Sequence, residues 1–236
     1  MNDFRQSPLA RTGPYTGAAG EVVRNRVLRN TYWLLALSLI PTVLGAALGL
    51  YTGLNQVMAL SPGLSTILFL AGAFGLMYLI QRNRDSSVGV ALLLAFTFFM
   101  GIMLSRLLGF VLGMSNGSQL IMTAFGGTAV VFASMATLAS TIKRDLSGMQ
   151  KWLFIGAVVI LVAALANIFL QLPALMLTVS VLAVVIFSAF ILVDMQRVIN
   201  GGETNYVSAT LSIYLSVYNV FANLLMLLGI FGGDRE

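Results

Sequence analysis

The chain has 236 residues, of which 58% are apolar and 9% charged, whereas soluble domains carry roughly 25% charged residues. This composition excludes an ordinary soluble globule, and the mean hydropathy of +0.94 predicts a protein embedded in a membrane. Cysteine and histidine are both absent, which excludes disulfides, thiolate or imidazole metal ligands, and thiol or imidazole catalysis. We therefore expect neither a metal site nor a cofactor.

The net charge of +5 could suggest a nucleic-acid partner. However, five of the 13 basic residues lie in the first 30 positions, directly before an apolar run. Basic residues beside a membrane segment contact anionic lipid or set the orientation of the chain. We expect the lipid bilayer, and no nucleic acid, as the partner of these charges.

Residues 1–30 are polar and contain Pro8 and Pro14, and they end in Arg24, Arg26 and Arg29. The segment is predicted to be a disordered basic tail. It does not resemble a cleavable signal peptide, because the first apolar run starts about thirty residues into the chain and no A-x-A-like site follows it.

Seven apolar runs follow the tail, each long enough to cross about 30 Å of hydrocarbon as a helix. They lie at about 31–51, 63–80, 88–107, 119–142, 152–170, 172–193 and 209–230. The pattern predicts an all-α membrane protein, a seven-helix transmembrane bundle over 31–230, with a short tail at 231–236. Between the fifth and sixth runs only Asn167, Gln171 and Pro173 interrupt the apolar sequence, so we expect a tight hairpin there.

Orientation follows from the distribution of Lys and Arg, which remain on the cytoplasmic side of the membrane. With the amino end inside, the cytoplasmic segments hold eleven of the 13 basic residues, and only Arg106 and Arg235 fall outside. We therefore expect a cytoplasmic amino end and a carboxyl end on the outer side. Helix contacts are predicted where small residues recur every four positions: Gly45, Gly49 and Gly53; Gly101, Ser105, Gly109 and Gly113; Ala129, Ala133, Thr137 and Thr141.

Ionisable residues within membrane spans are costly and each requires a reason. Arg106 lies near the outer end of the third span, where its long side chain can reach the interface. Asp194 ends the sixth span, and its short side chain cannot reach far. Its candidate ion-pair partners are Arg82, Arg84 and Arg197; a helix-end carboxylate capped by water and Arg197 is the alternative.

The seventh span carries polar residues at steps of four, three and four, which places them on one helical face: Ser212, Ser216, Asn219 and Asn223. We call these four residues the polar seam. If the polar seam faces the bundle interior beside Asp194, the group predicts a pathway for a proton or a cation, or a site that senses pH.

Several segments resemble, in order, the Bax inhibitor-1 family of transmembrane proteins, and more closely its bacterial YccA-like branch. The matching segments are 27–32 (VLRNTY), 167–175 (NIFLQLPAL), 191–196 (ILVDMQ), 201–206 (GGETNY) and 211–221 (LSIYLSVYNVF). The resemblance implies a seven-helix bundle of the Bax inhibitor-1 type.

Two functions are implied by the resemblance. Members of the YccA-like branch bind the membrane-anchored, ATP-dependent protease FtsH and modulate its degradation of membrane proteins. The wider family is associated with a pH-dependent calcium leak, in which two acidic residues share a proton near an Arg. Asp194 matches the first acidic position, the second falls on Ser216, and the Arg position fits Arg82 or Arg84 equally well.

The broken acidic pair favours the modulator function over the alternative, a calcium or proton leak gated near Asp194. An intramembrane enzyme is not expected. Membrane aspartyl proteases need two Asp at depth, whereas here only Asp194 is so placed, and Lys143 and Lys151 lie in a loop rather than a span. We expect no catalytic residues and a non-enzymatic protein of the bacterial inner membrane.

Overall fold

The computed structural model describes residues 18–232, and within this range all regular structure is helical. The described helices are α1 (Ala18–Tyr51), α2 (Leu54–Leu60), α3 (Pro62–Arg82), α4 (Ser87–Leu112), α5 (Gly117–Thr141), α6 (Met149–Leu170), α7 (Pro173–Ile199) and α8 (Tyr206–Phe231). Seven of them, all but the short α2, contain a stretch long and apolar enough to cross a membrane. The predicted all-α architecture with seven long apolar helices is confirmed.

The long helices alternate in direction, so the connecting loops collect at two ends of the bundle. The start of α1 and the loops 83–86, 142–148 and 200–205 lie at one end, which we call the basic end. Asn205 joins two of these loops by donating from Nδ2 to the Arg84 carbonyl oxygen over 3.0 Å. At the opposite end, Asn116 Nδ2 donates to the Gly232 carbonyl oxygen over 2.6 Å, which connects the start of α5 to the end of α8.

Helix α8 is the centre of the bundle. It packs against α1, α3, α4, α5 and α7, and its Ile213, Tyr214 and Val220 are almost fully buried. The Tyr214 ring meets Phe96 of α4 edge to face, with 6.1 Å between ring centroids. By contrast, α6 packs mainly on α7 and turns large apolar side chains such as Trp152 outward, as a lipid-facing helix does.

Helices α1 and α4 approach each other most closely, through small residues. A Cβ at Gly45 would collide with the Phe98 carbonyl oxygen, and a Cβ at Gly101 with the Thr42 carbonyl oxygen. The spacing of small residues in the first and third spans therefore does mark a helix contact, because these backbones touch with no side chain between them.

The structure differs from the sequence-based expectation at the start of the chain. Residues 18–30, predicted to belong to a disordered tail, form the first turns of α1, while residues 1–17 lie outside the described range. Although this segment is mostly polar, its Val27 is buried and packs with Val198 and Ala209. That contact with α7 and α8 stabilises a helix that composition alone does not predict.

Two further differences concern α2 and α5. Gly53, expected to continue the stripe of α1, instead adopts a left-handed conformation (φ 72°) that ends α1 and starts α2. The stripe Ala129, Ala133, Thr137 and Thr141 is exposed on α5. Helix α5 buries another face of small residues, including Ala124 and Thr128, because that face is the one directed at α7 and α8.

Candidate functional site

Asp194 lies on α7, five residues before the helix ends at Ile199, which at 1.5 Å per residue is about 8 Å along the axis. It is 7% exposed and is the one charged residue among the buried side chains that the structure describes. Within residues 18–232 its carboxylate takes part in no ion pair or hydrogen bond. A largely buried carboxylate in a membrane span is costly, and it marks this position as a candidate site.

Arg197, one turn after Asp194, pairs with a different acid. Its Nη2 lies 3.5 Å from Glu203 Oε2. The loop after α7 folds back so that the backbone N–H groups of Gly202 and Glu203 donate to the Arg197 carbonyl oxygen over 2.8 and 3.2 Å. This return of the chain brings Glu203 to the guanidinium and draws Arg197 toward the loop.

The two arginines at the end of α3 are also not paired with Asp194. Arg84 Nε lies 3.9 Å from Asp85 Oδ2, and Arg82 is exposed. The expected ion pair between Asp194 and one of its three candidate partners is therefore not formed in this structure. Arg84 and Arg197 instead lie within 4 Å of acids in the loops, Asp85 and Glu203.

The polar seam lies on α8, with Ser216 buried and the other three residues half-buried. Three of its four side chains donate hydrogen bonds along their own helix. Ser216 Oγ donates to the Ser212 carbonyl oxygen (3.1 Å), and Asn219 and Asn223 each donate to the carbonyl oxygen four residues earlier (2.8 Å). No hydrogen bond in the described part of the chain joins the polar seam to Asp194, so its role as a pathway stays a prediction.

Gln196, two residues after Asp194, holds the loop between α5 and α6. Its Oε1 accepts from the Leu146 backbone N–H (2.9 Å), and its Nε2 donates to the carbonyl oxygens of Ile142 (3.2 Å) and Arg144 (2.8 Å). The side chain is 3% exposed, so these bonds are shielded from water. One amide thereby fixes the backbone of the loop that carries Lys143 and Arg144.

The same loop contains a compact turn at Asp145. Its carboxylate accepts from the backbone N–H and the hydroxyl of Ser147, each over 2.9 Å. These two hydrogen bonds, the backbone bond first, lower the pKa of Asp145 below its ordinary value. Asp145 therefore stays charged at neutral pH beside Lys143 and Arg144.

Asn205 caps α8 and joins its start to the loop between α3 and α4. Its Oδ1 accepts from the backbone N–H groups of Val207 (2.9 Å) and Ser208 (3.0 Å). Its Nδ2 donates to Asp85 Oδ1 over 2.8 Å as well as to the Arg84 carbonyl oxygen. Together with Gln196, it ties the loops of the basic end to α7 and α8.

Tyr214 and Tyr218 on α8 connect the central helix to α1 and α4. The Tyr214 hydroxyl lies 2.8 Å from Thr42 Oγ1 and 3.5 Å from the Thr97 carbonyl oxygen. The Tyr218 hydroxyl donates to the Met100 carbonyl oxygen over 3.3 Å. Both hydroxyls thus lie within hydrogen-bonding distance of groups near the close contact of α1 and α4. Tyr214 and Tyr218 are therefore packing residues of the core.

The sequence pattern did not indicate that Gln196 and Asn205 tie the loops of the basic end to α7 and α8. A signal for Asn205 was present, because Asn directly before an apolar helix is a favoured N-cap. Gln196 offered only a weak signal, a polar amide near the end of an apolar span. Its three partners lie about 50 residues earlier in the chain, where no local pattern connects them to it.

Comparisons with known proteins agree with this architecture. The sequence model of the family described as "Inhibitor of apoptosis-promoting Bax1" matches residues 24–233. The chain is 41% identical over 210 residues to "Modulator of FtsH protease YccA" of Escherichia coli, covering 89% of this chain and 92% of that protein. It is 38% identical over 221 residues to an uncharacterized protein of Neisseria meningitidis, covering 93% of this chain and 97% of that protein.

A membrane protein of Vibrio cholerae is 37% identical over 210 residues, again covering 89% of this chain and 92% of the relative. The family match covers all seven long apolar helices, since it runs from Arg24 on α1 past the end of α8. This chain therefore belongs to the Bax inhibitor-1 family and is similar to its YccA-like members.

Proposed function

We propose that this protein is a non-enzymatic, multi-pass protein of the bacterial inner membrane that binds the FtsH protease and modulates its degradation of membrane proteins. The observation that carries the proposal is the 41% identity to the FtsH modulator YccA over 89% of the chain. Asp194 is the one charged residue among the buried side chains of residues 18–232. The family resemblance places Ser216 where leak-forming members carry the second acidic residue.

We further propose that the amino end and the basic end face the cytoplasm. Of the ten Lys and Arg residues between positions 18 and 232, all but Arg106 lie at the basic end. This asymmetry is what the positive-inside rule requires of a cytoplasmic face. The ATP that such a protease consumes is also cytoplasmic, so the basic end would meet the protease where it acts.

Fixed loops support the basic end as the contact surface. Gln196 holds residues 142–146 and Asn205 holds residues 84–85, so the loops present a preorganised surface. A surface that is ordered before binding loses less conformational entropy on association. Residues 1–17, which precede α1 in the sequence, supply a polar segment for a protease to engage.

Co-purification from native membranes tests the proposal. The full chain is compared with a variant lacking residues 2–17. A longer deletion to residue 30 would remove Val27, which packs with Val198 and Ala209 and accepts the hydrogen bond from the Thr31 hydroxyl, and so would destabilise α1. We expect the full chain to recover FtsH and the truncated chain to recover less of it, with matching changes in the half-life of FtsH substrates. Recovery of no protease with the full chain at native expression would contradict the proposal.

A second candidate, a calcium or proton leak gated near Asp194, is favoured by one observation: this carboxylate is buried and lacks an ion-pair partner in the described chain. Asp194→Asn should then change calcium or proton flux into liposomes that contain the purified protein. Asp85→Asn, at an exposed loop carboxylate, is the matched control. Background flux in the unmodified protein and in both variants would exclude a leak.

A further inference from the structure

A groove of about 580 Å³ runs along the first half of α1, outside the region around Asp194. All its lining residues belong to one face of α1, because they recur at helical spacing: Asn25, Leu28, Arg29, Tyr32, Trp33 and Ala36. The groove is an open strip on the outer surface of α1, since every residue that lines it belongs to that helix.

The lining changes from polar to apolar along the helix. Asn25 and Arg29 come first, and Trp33 and Ala36 follow toward the centre of the membrane span. From Asn25 to Ala36 the distance is about 16 Å at 1.5 Å per residue. Trp33 is 73% exposed, and exposed Trp in membrane proteins lies at the level of the lipid headgroups. The groove thus fits a molecule with a polar head and an apolar body.

The polar groups of the groove are available to a ligand. In the described part of the chain, the side chains of Asn25 and Arg29 and the hydroxyl of Tyr32 take part in no hydrogen bond or ion pair. The Tyr32 ring is held edge to face against Phe132 of α5, with 6.3 Å between centroids. A guanidinium beside amide and hydroxyl donors is the arrangement that suits a phosphate group.

We propose that this groove binds one acidic phospholipid, with its phosphate at Asn25, Arg29 and Tyr32 and its acyl chains along Leu28, Trp33 and Ala36. Charge complementarity selects the occupant, since Arg24 and Arg26 flank Arg29 and add to a positive field at the same membrane level. The apolar half of the groove adds a contact that a free anion would not use. This inference stands independently of any protease partner.

Native mass spectrometry of the full-length protein, titrated with phosphatidylglycerol or phosphatidylethanolamine, tests the inference. We expect phosphatidylglycerol to bind more tightly and Arg29→Gln to weaken that binding by about five-fold, the equivalent of one charge contact. Arg26→Gln is the matched control, because Arg26 lies on the same helix but does not line the groove. It should retain affinity within about two-fold.

Three outcomes would overturn the proposal. Equal losses for Arg26→Gln and Arg29→Gln would indicate diffuse attraction to a charged surface rather than a site. Equal binding of the two lipids by the unmodified protein, a measurement that depends on no variant, would exclude recognition of an acidic headgroup. Displacement of the lipid by inorganic phosphate would show that the groove takes a free anion. Unchanged thermal unfolding of the variants confirms that the comparison is between folded proteins.

Discussion

Gln196 and Asp194 lie two residues apart on α7, and burial affects them in opposite ways. Both are less than 10% exposed, but the Gln196 amide makes three hydrogen bonds to the loop between α5 and α6. The Asp194 carboxylate makes none within the described chain. Buried polar groups contribute to stability only when they are paired. Gln196 is therefore expected to be structural, and Asp194 is retained at a cost that a function must explain.

Replacing Gln196 with Leu should destabilise the protein by about 1–3 kcal/mol, because it leaves three backbone groups of the loop without partners. The effect should be local at first. Relative to the unmodified protein, amide hydrogen exchange should become faster in residues 142–148 and change less in the helices. Gln150→Leu is the control, since the Gln150 side chain makes no hydrogen bond in the described structure. Equal exchange rates in the two variants would show that the amide does not fix this loop.

At the scale of the helices, the contact of α1 with α4 depends on the absence of side chains. Gly45 and Gly101 allow each backbone to approach a carbonyl oxygen of the other helix, and Gly49 faces the Ser105 hydroxyl. Helices in lipid gain little from burying apolar surface, so close packing of backbones is the principal source of attraction. Tyr214 then links this pair to α8 through Thr42.

Gly101→Ala should force α1 and α4 apart, because the new methyl group meets a backbone carbonyl that cannot rotate away. We expect a loss of about 1–3 kcal/mol, typical of an overpacked core, measured by reversible unfolding in mixed micelles. Gly126→Ala on α5 provides the comparison, since a Cβ there meets no atom within 4 Å. A Gly101→Ala protein as stable as Gly126→Ala would refute the close contact.

For the whole molecule, the start of α1 and the end of α8 lie at opposite ends of the bundle. The loops at the basic end and those at the other end alternate along the chain. The order of the helices and the hydrogen bonds between loops give this division of the ends, and the charge asymmetry supports the proposal that the basic end faces the cytoplasm.

Cysteine labelling in intact cells can test this arrangement without background, because the natural sequence contains no cysteine. Ser61→Cys, in the exposed connection between α2 and α3, should react with a membrane-impermeant maleimide added from outside. Ser86→Cys, exposed in the loop between α3 and α4, should react only after the membrane is opened. The reverse pattern would invert the orientation, and labelling of both residues from outside would rule out a membrane span at α3.

The sequence alone determined the number and order of the long helices and the family. The length of an apolar run is a local property that the thickness of the bilayer converts directly into a helix. Small residues every four positions also marked the faces through which α1 and α4 touch, although the same pattern on α5 proved to be exposed. The spacing of small residues shows that one face of a helix lacks large side chains. It does not show which helix, if any, packs against that face.

The tertiary structure alone decided which helix is central, that α1 begins at Ala18, and how the polar residues at the basic end are paired. Arg197 binds Glu203, and Gln196 binds a loop about 50 residues earlier. Such pairings depend on which segments folding brings together and on the competition among several nearby charges. The sequence reports a residue's neighbours along the chain, whereas hydrogen bonds, ion pairs and burial are set by its neighbours in space.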